Sequence, residues 1–254
     1  MRAKLTMVLY VVYKAPLEST ARSGIPNRLK ELGCQQLHRA FWKIDEKKAQ
    51  RVLKVLENNQ PILLKRLREI KNPKLAKKKK FSGLGSLIVV TFTLPKGANR
   101  EKVMNFIRRA PCIRLRRSVY AFSQKHSLYE KEPKLVDALR LVNFIRDMEG
   151  NVKIISRVII VNTTSVERLL QETRDRIEHG VVDIISSCKE LYRKAHISND
   201  YALLRDRFSR IKRRFLILKK IAAVYEEWLK IDFSKNIMRA YHALRKVKAV
   251  ITIA

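Results

Sequence analysis

The stretch YVVYKAP at residues 10–16 decides the fold, because a similar stretch, VVTFTLP, returns at residues 89–95. Further along, LKELGCQQLHRAFWKI at residues 29–44 aligns with IRRAPCIRLRRSVYAF at residues 107–122. The offsets are 79 and 78 residues, and the apolar pattern, a proline and a cysteine coincide in the two copies. Self-similarity at a fixed spacing indicates an internal duplication, here of a β-α-β unit. Chance similarity between two β-α-β pieces is the alternative.

Strands and helices are predicted around these repeats from the spacing of apolar residues. The apolar run at residues 5–13 predicts a buried strand and not a signal peptide, because it is short and no small-residue cleavage site follows it. The other predicted strands cover residues 35–44, 86–92 and 152–161. The predicted helices of this part cover residues 18–32, 45–58 and 133–149.

Residues 60–80 differ from their surroundings, because they hold nine lysines and arginines and one acid, Glu69. This composition indicates a helix followed by a basic linker, which ends in KKKK at residues 77–80. The sequence does not fix the type of the element at residues 60–70, and the first copy lacks a clear final strand.

The remainder of the chain, from residue 164, predicts helices. One apolar seam runs from Val166 to Leu191, and a second runs from Leu204 to Leu229 with spacings that alternate between four and three. Two such helices joined by the turn HISND at residues 196–200 form an antiparallel hairpin. A last helix is predicted at residues 234–247, followed by strand-like AVITI at 249–253.

The fold class that follows is α+β. With one added hairpin strand, the second copy fits a ferredoxin-like sandwich. We therefore expect tandem ferredoxin-like β-α-β units, followed by an α-helical hairpin and a C-terminal helix. The predicted domains are 1–80 (first unit and basic linker), 81–163 (second unit) and 164–254 (basic helical hairpin domain).

The composition limits the function. The 254 residues include 56 Lys+Arg and 23 Asp+Glu, which give a formal net charge of +33, and 46% are hydrophobic. A chain this apolar can bury a core, so a wholly disordered protein is excluded. The three cysteines, Cys34, Cys112 and Cys188, are too few and too widely spaced for a disulfide scaffold.

The positive charge favours a polyanionic partner. Nucleic acid is the first candidate and an anionic membrane surface the second, although no stretch has the roughly 20 apolar residues that a membrane span needs. A lysine- and arginine-rich thermophile surface is the other alternative, but such surfaces carry comparable numbers of glutamates. We expect a cytoplasmic protein with reduced thiols.

Two basic segments contain most of the candidate binding residues. Arg114 and Arg116 are predicted to share one face of a strand with Tyr120, and Tyr120 and Trp42 belong either to the core or to a base-stacking surface. A second basic surface surrounds the apolar seam of residues 201–231 and serves nucleic acid or a protein partner. The predicted nucleic-acid-binding residues are Lys77, Lys78, Lys79, Lys80, Arg108, Arg109, Arg114, Arg116, Arg117, Arg210, Lys212, Arg213, Arg214, Lys219 and Lys220.

Catalytic motifs are not found in the sequence. The five histidines are scattered, no His/Cys/Asp spacing matches a zinc or iron site, and no phosphate-binding glycine motif occurs. We therefore predict no catalytic residue, no metal site and no cofactor.

The repeated segments YVVYKAP…GCQQLHRAFWKI and VVTFTLP…CIRLRRSVYAF resemble the small ferredoxin-like proteins of the CRISPR adaptation machinery and the C-terminal domain of the phenylacetic-acid repressor family. The basic helical hairpin resembles the N-terminal region of chromate-resistance regulators. The resemblance implies two halves arranged as an intramolecular version of the CRISPR family's dimer, close to nucleic acid. That family places a metal-binding aspartate at the end of the first strand, where this chain has Lys14 and Thr93. Hydrolysis is therefore not implied.

The function expected from the sequence is non-catalytic nucleic-acid binding through backbone phosphates, in a chromatin, regulatory or ribonucleoprotein role. The alternatives are a metal-dependent nuclease of the CRISPR-adaptation-protein-like fold and a ribosome-associated factor that docks on ribosomal RNA. The sequence distinguishes neither DNA from RNA nor one oligomeric state from another.

Overall fold

A computed structural model describes residues 8–16, 19–75, 81–125, 127–130, 134–197 and 200–253 of the chain. Across these ranges the protein is mixed α/β, with an eight-stranded sheet, a two-stranded sheet and eight α-helices. None of the helices in the described ranges is long and apolar enough to cross a membrane. The chain divides into unit 1 (Met1–Ile107, Cys112–His126 and Asp137–Leu170) and unit 2 (Arg108–Pro111, Ser127–Val136 and Gln171–Ala254).

The strands in chain order are β1 (Val8–Val12), β2 (Gln35–His38), β3 (Phe41–Asp45), β4 (Ile62–Arg66), β5 (Lys74–Leu75), β6 (Phe81–Gly83), β7 (Leu87–Thr93), β8 (Ile113–Arg116), β9 (Val119–Ser123) and β10 (Asn151–Ile160). The helices are α1 (Ser19–Glu31), α2 (Ala49–Val55), α3 (Arg100–Arg108), α4 (Ser127–Glu130), α5 (Ala138–Asp147), α6 (Thr163–Ala195), α7 (Tyr201–Leu229) and α8 (Ser234–Ile253). Short 3₁₀ turns at Glu46–Lys48 and Glu57–Asn59 flank α2.

The large sheet of unit 1 has the strand order β2-β3-β1-β4-β10-β7-β9-β8, and its neighbouring strands are antiparallel. Its two halves have the same construction. In each half the chain runs β-α-β-β-α-β, with the short α4 added before α5 in the second half, and the strands lie in the order fourth, first, third, second. The first half uses β1 to β4, and the second uses β7 to β10. Pairing of β4 with β10 joins the halves into one sheet.

The strand register repeats between the halves. Val11 lies opposite Trp42 in the first half, and Val90 lies opposite Tyr120 in the second. These pairs are separated by the 79 and 78 residues of the sequence alignment. A register shift also occurs in the β2–β3 hairpin and again in the β8–β9 hairpin. Equivalent positions of the two aligned segments therefore have equivalent places in the sheet.

The prediction of one strand at residues 35–44 is wrong, because this segment is the hairpin of β2 and β3. Its counterpart forms the hairpin of β8 and β9. Neither turn contains the glycine or proline that usually marks one. In the second hairpin Ser118 adopts the left-handed conformation, with φ of 61°. Apolar residues on both sides of each turn made the two strands look continuous.

The helix predicted from residue 60 onward is also wrong, because residues 62–66 form β4. Ile62 and Leu64 are buried, whereas Leu63 and Lys65 are half-buried, which is the alternation of a strand. Pro61 restricts the residue before it to non-helical conformations. Strand β4 supplies the final strand that the first copy lacked in the sequence analysis.

Both faces of β1 are buried, which explains why this strand is apolar without interruption. Val11 and Trp42 pack with Leu29 of α1 in one core. On the opposite face Tyr10 and Phe41 are buried and their ring centroids lie 5.7 Å apart. Such a strand is expected to show a continuous apolar run instead of an alternating one.

A glycine ends α1 as the sequence indicates. Gly33 has φ of 70°, and its N–H donates to the Lys30 carbonyl over 2.7 Å. The left-handed conformation after a helix favours glycine because a Cβ atom is strained there. The helix predicted at residues 133–149 is shorter, and it begins after Asp137, whose side chain accepts a hydrogen bond from the Arg140 N–H.

Unit 2 packs α6, α7 and α8 around one apolar core. The core continues the two predicted seams and adds α8, and its buried members are Val181, Ile184, Cys188, Leu191, Leu204, Ile211, Phe215, Ala240, Leu244, Val247 and Ile251. The Asp200 side chain accepts from the Leu203 N–H over 3.0 Å, which confirms the predicted helix cap. The strand predicted at 249–253 is wrong, because packing of Ile251 against this core keeps α8 helical despite its β-branched residues.

Candidate nucleic-acid interface

The predicted shared face of Arg114 and Arg116 is interrupted, and the arginines of the β8–β9 hairpin differ in exposure. Arg114 and Arg117 are exposed on the outermost strand of the described sheet and in the turn that follows it. Arg116 is half-buried, and its guanidinium donates to the carbonyl oxygens of Leu115 (2.9 Å) and Gln60 (2.6 Å). The register shift between Arg114 and Arg116 also breaks the predicted shared face. Arg114 and Arg117 therefore remain candidates for phosphate contact, whereas Arg116 holds two backbone segments together.

The two aromatic candidates belong to the core. Tyr120 lies opposite Arg114 on the neighbouring strand, but it is 3% exposed and stacks on Phe92 with ring centroids 6.0 Å apart. Trp42, at the equivalent position of the first half, is fully buried. Stacking on a base needs an accessible ring, so neither aromatic can provide it.

The short segment Arg108–Pro111 carries two more predicted residues, and it belongs to unit 2. Both Arg108 and Arg109 are exposed. Arg109 donates from Nη2 to the Lys134 carbonyl over 3.0 Å, so part of its guanidinium has a structural role. Arg176, which no pattern in the sequence marks, holds this segment through its backbone carbonyls.

Helix α7 presents its cations on two flanks. Arg210, Arg213 and Arg214 are exposed and share one face, because residues three and four apart are neighbours on a helix. Lys212 and Lys219 are exposed on another flank, seven residues apart. Arg210 forms a 2.7 Å ion pair with Asp206, and Lys220 is half-buried. The face of the three arginines is therefore the densest predicted cluster that the structure brings together.

Helix α8 adds cations that sequence reasoning missed. Its residues 234–253 include five lysines and arginines and no acid, which was the signal available in the sequence. Arg239 is paired with Glu178 of α6 over 2.8 Å. Arg245 and Lys246 are exposed and add to the positive charge of unit 2. The other two basic residues of α8 are Lys235 and Lys248.

The structure says less about the predicted lysine run at residues 77–80 and about the two positions compared with a metal-binding aspartate. Lys77, Lys78, Lys79 and Lys80 lie outside the described residues. Lys14 and Thr93, which stand where a metal-binding aspartate was considered, are both exposed. Within the described part of the chain, no group of three or more His, Cys, Asp and Glu side chains is placed to hold a metal ion.

Burial shifts the pKa values of the Cys188 and His38 side chains in opposite directions. The three cysteines are buried and free, and burial raises the pKa of the Cys188 thiol to about 11. At neutral pH this thiol is protonated and behaves as a small apolar side chain. His38 on β2 is half-buried, and its pKa is lowered by burial first and then by the charge of Arg39. A hydrogen bond to the Phe92 backbone opposes this shift, and the Lys153 charge adds to it.

No protein-family model, curated protein or solved structure matches the chain.

Proposed function

We propose that this chain is a non-catalytic nucleic-acid-binding protein that acts mainly through contacts with backbone phosphates. The observation that carries the proposal is the cationic surface of α7 and α8 in unit 2. Helix α7 has eight lysines and arginines and three acids, and α8 has five and none. The positive charges of such a surface repel one another and destabilise a compact protein. Binding of a polyanion relieves this repulsion.

Contact with phosphates, not with bases, fits the exposed groups. The aromatic candidates Trp42 and Tyr120 are buried, whereas the exposed candidates are guanidinium and ammonium groups. Guanidinium groups recognise phosphate oxygens with paired N–H donors, and phosphate contacts carry no sequence information. The proposed binding is therefore sequence-independent.

The fold proposal is that each half of the large sheet is a ferredoxin-like unit and that the pair arose by internal duplication. The β-α-β-β-α-β order and the strand order fourth, first, third, second support it. The matching registers at Val11–Trp42 and Val90–Tyr120 support the duplication. We place the protein in the cytoplasm, where thiols such as the three free cysteines stay reduced.

The decisive experiment measures affinity against salt concentration. If about 6–8 phosphates are neutralised, the slope of log K against log salt on duplex DNA is about −5 to −7. Duplex DNA, single-stranded RNA and structured ribosomal RNA are titrated in parallel, which ranks the chromatin, ribonucleoprotein and ribosomal roles. A flat salt response on all three probes would contradict the proposal.

A further inference from the structure

A groove lies between α6 and α7 in unit 2. Of the three basic residues that line it, Arg210 is a predicted binding residue, whereas Lys194 and Arg207 are not. The cavity has a volume of about 220 Å³. Its apolar floor includes Leu191 and Ile211, which are both buried. The groove is lined by Ser187, Glu190, Leu191, Lys194, Arg207, Arg210 and Ile211.

The side chains around the groove leave an excess of positive charge. Lys194, Arg207 and Arg210 contribute three cations, and Glu190 contributes one anion. Asp206, which is outside the lining, pairs with Arg210 over 2.7 Å. Even with both acids counted, one positive charge is not compensated.

The pairing pattern shows which cation is available. Lys194 pairs with Glu190 over 2.5 Å, one turn apart on α6. The charge of Arg207 also acts on Glu190, since it contributes to lowering the pKa of that carboxyl after the larger effect of Lys194. Arg207 itself forms no hydrogen bond or ion pair with a residue in the described ranges. Arg207 is half-buried and lines the groove, so its guanidinium offers N–H donors to a group bound there.

We propose that this groove is a phosphate subsite, in which Arg207 and Lys194 hold one backbone phosphate of a bound nucleic acid. The subsite deepens the proposed function and rests on it. Arg207 supplies a planar pair of donors, and Lys194 supplies a point charge from the facing helix. The Ser187 hydroxyl donates to the Asp183 carbonyl over 2.8 Å, so it serves its own helix and not the phosphate.

Glu190 is the internal competitor of the bound phosphate. In the free protein the Glu190 carboxylate is paired with the ammonium group of Lys194, and a bound phosphate must displace this carboxylate. Replacing the carboxylate by an amide removes one negative charge from the groove and frees Lys194. The Glu190→Gln variant should therefore bind nucleic acid more tightly than the unmodified chain, which a role of Glu190 in stability alone would not produce.

The test measures the affinity of the full chain for a fluorescein-labelled DNA duplex by fluorescence anisotropy at several salt concentrations. The variant is Lys194→Ala/Arg207→Ala. Its matched control, Lys189→Ala/Arg193→Ala, removes one lysine and one arginine from exposed positions of α6 outside the groove lining. Both lower the net charge equally, and melting temperatures establish that both are folded.

We expect the groove variant to bind about tenfold more weakly than the control, in line with loss of a charge-assisted hydrogen bond. Its salt slope should be smaller by about 0.9, the contribution of one phosphate. Equal affinities and slopes for the two variants would overturn the subsite and leave the proposed function intact. A lack of salt-dependent binding by the unmodified chain would overturn both.

Discussion

Arg176 of α6 donates a hydrogen bond from Nη1 to the hydroxyl of Tyr225 on α7 over 2.9 Å. Its Nη2 reaches the carbonyl oxygens of Arg108 (3.3 Å) and Ala110 (3.0 Å). One guanidinium thus joins two helices of unit 2 to the segment at residues 108–111. In a chain rich in arginine, the Arg176 guanidinium has a structural role within the protein.

The first prediction concerns that guanidinium. Arg176→Lys keeps the charge but loses the planar set of donors, so we expect unfolding to become easier by about 2 kcal/mol. Chemical denaturation measures the change. Arg174→Lys, at an exposed position of the same helix, is the control and should leave stability unchanged. Equal stability of the two variants would show that the hydrogen bonds from Arg176 to its three acceptors do not contribute to the free energy of unfolding.

The second prediction uses two glycines near α1. Gly33 has a positive φ, and a Cβ atom there would lie 2.8 Å from Lys48 Nζ, so Gly33→Ala should destabilise by about 1 kcal/mol. Gly24 lies inside the helix with nothing within 4 Å of an added Cβ, so Gly24→Ala should stabilise by about 0.5–1 kcal/mol. Thermal unfolding measures both, and shifts of the same sign would contradict the conformation assigned to Gly33.

The third prediction concerns pH. Because the folded protein lowers the pKa of His38, the unfolded chain binds the proton more readily. Stability from this group is therefore fully present above the usual pKa of about 6.5 and decreases as the pH falls below it. Denaturation across this range should show the decrease, and His38→Gln should reduce it. His242→Gln, at an exposed position, should retain the decrease.

The fourth prediction separates two basic surfaces. Arg114→Ala/Arg117→Ala removes the exposed arginines of the β8–β9 hairpin, and Arg213→Ala/Arg214→Ala removes two from α7. Each pair should weaken nucleic-acid binding by about 1 kcal/mol or more, and the losses should add. Arg116 stays unchanged because its loss would leave backbone carbonyls without their donor. If the α7 pair binds like the unmodified chain, that surface serves a protein partner.

The fifth prediction is that the purified chain does not cleave nucleic acid. Lys14 repels a divalent cation, and Thr93 alone is a weak ligand. Incubation of labelled DNA and RNA with Mg²⁺ or Mn²⁺ should leave both intact. Metal-dependent cleavage that disappears on changing Asp45 to Ala would instead support the nuclease alternative.

The sequence predicts β1 well because a strand buried on both faces is apolar at every position. The sequence does not predict β4, because Lys65 and Arg66 make this short central strand resemble the basic segment that follows it. It also fails at α8, where packing of Ile251 against α6 and α7 outweighs local strand preference. In each failure the deciding contact is with residues distant in the chain.

In the candidate site, too, the sequence predicts some features and misses those that depend on contacts between distant residues. Exposure of the α7 arginines follows from the apolar seam, which places them away from the core. The internal roles of Arg116 and Arg176 depend on carbonyls far away in sequence, at Gln60 and Ala110, and no local pattern shows them. Lys194 and Arg207 meet at the groove because two helices are antiparallel, and their spacing in the sequence carries no signal.

The pairing of β4 with β10 has a consequence during translation. Strand β4 lies between β1 and β10, and β10 leaves the ribosome only after residues 67–150 have been synthesised. Until then the nascent chain carries a central strand with one row of backbone N–H and C=O groups unpaired. Such an edge can pair with another chain. Lys65 and Arg66 at the end of β4 place positive charge along this temporary edge, where repulsion disfavours contact between neighbouring nascent chains on one messenger RNA.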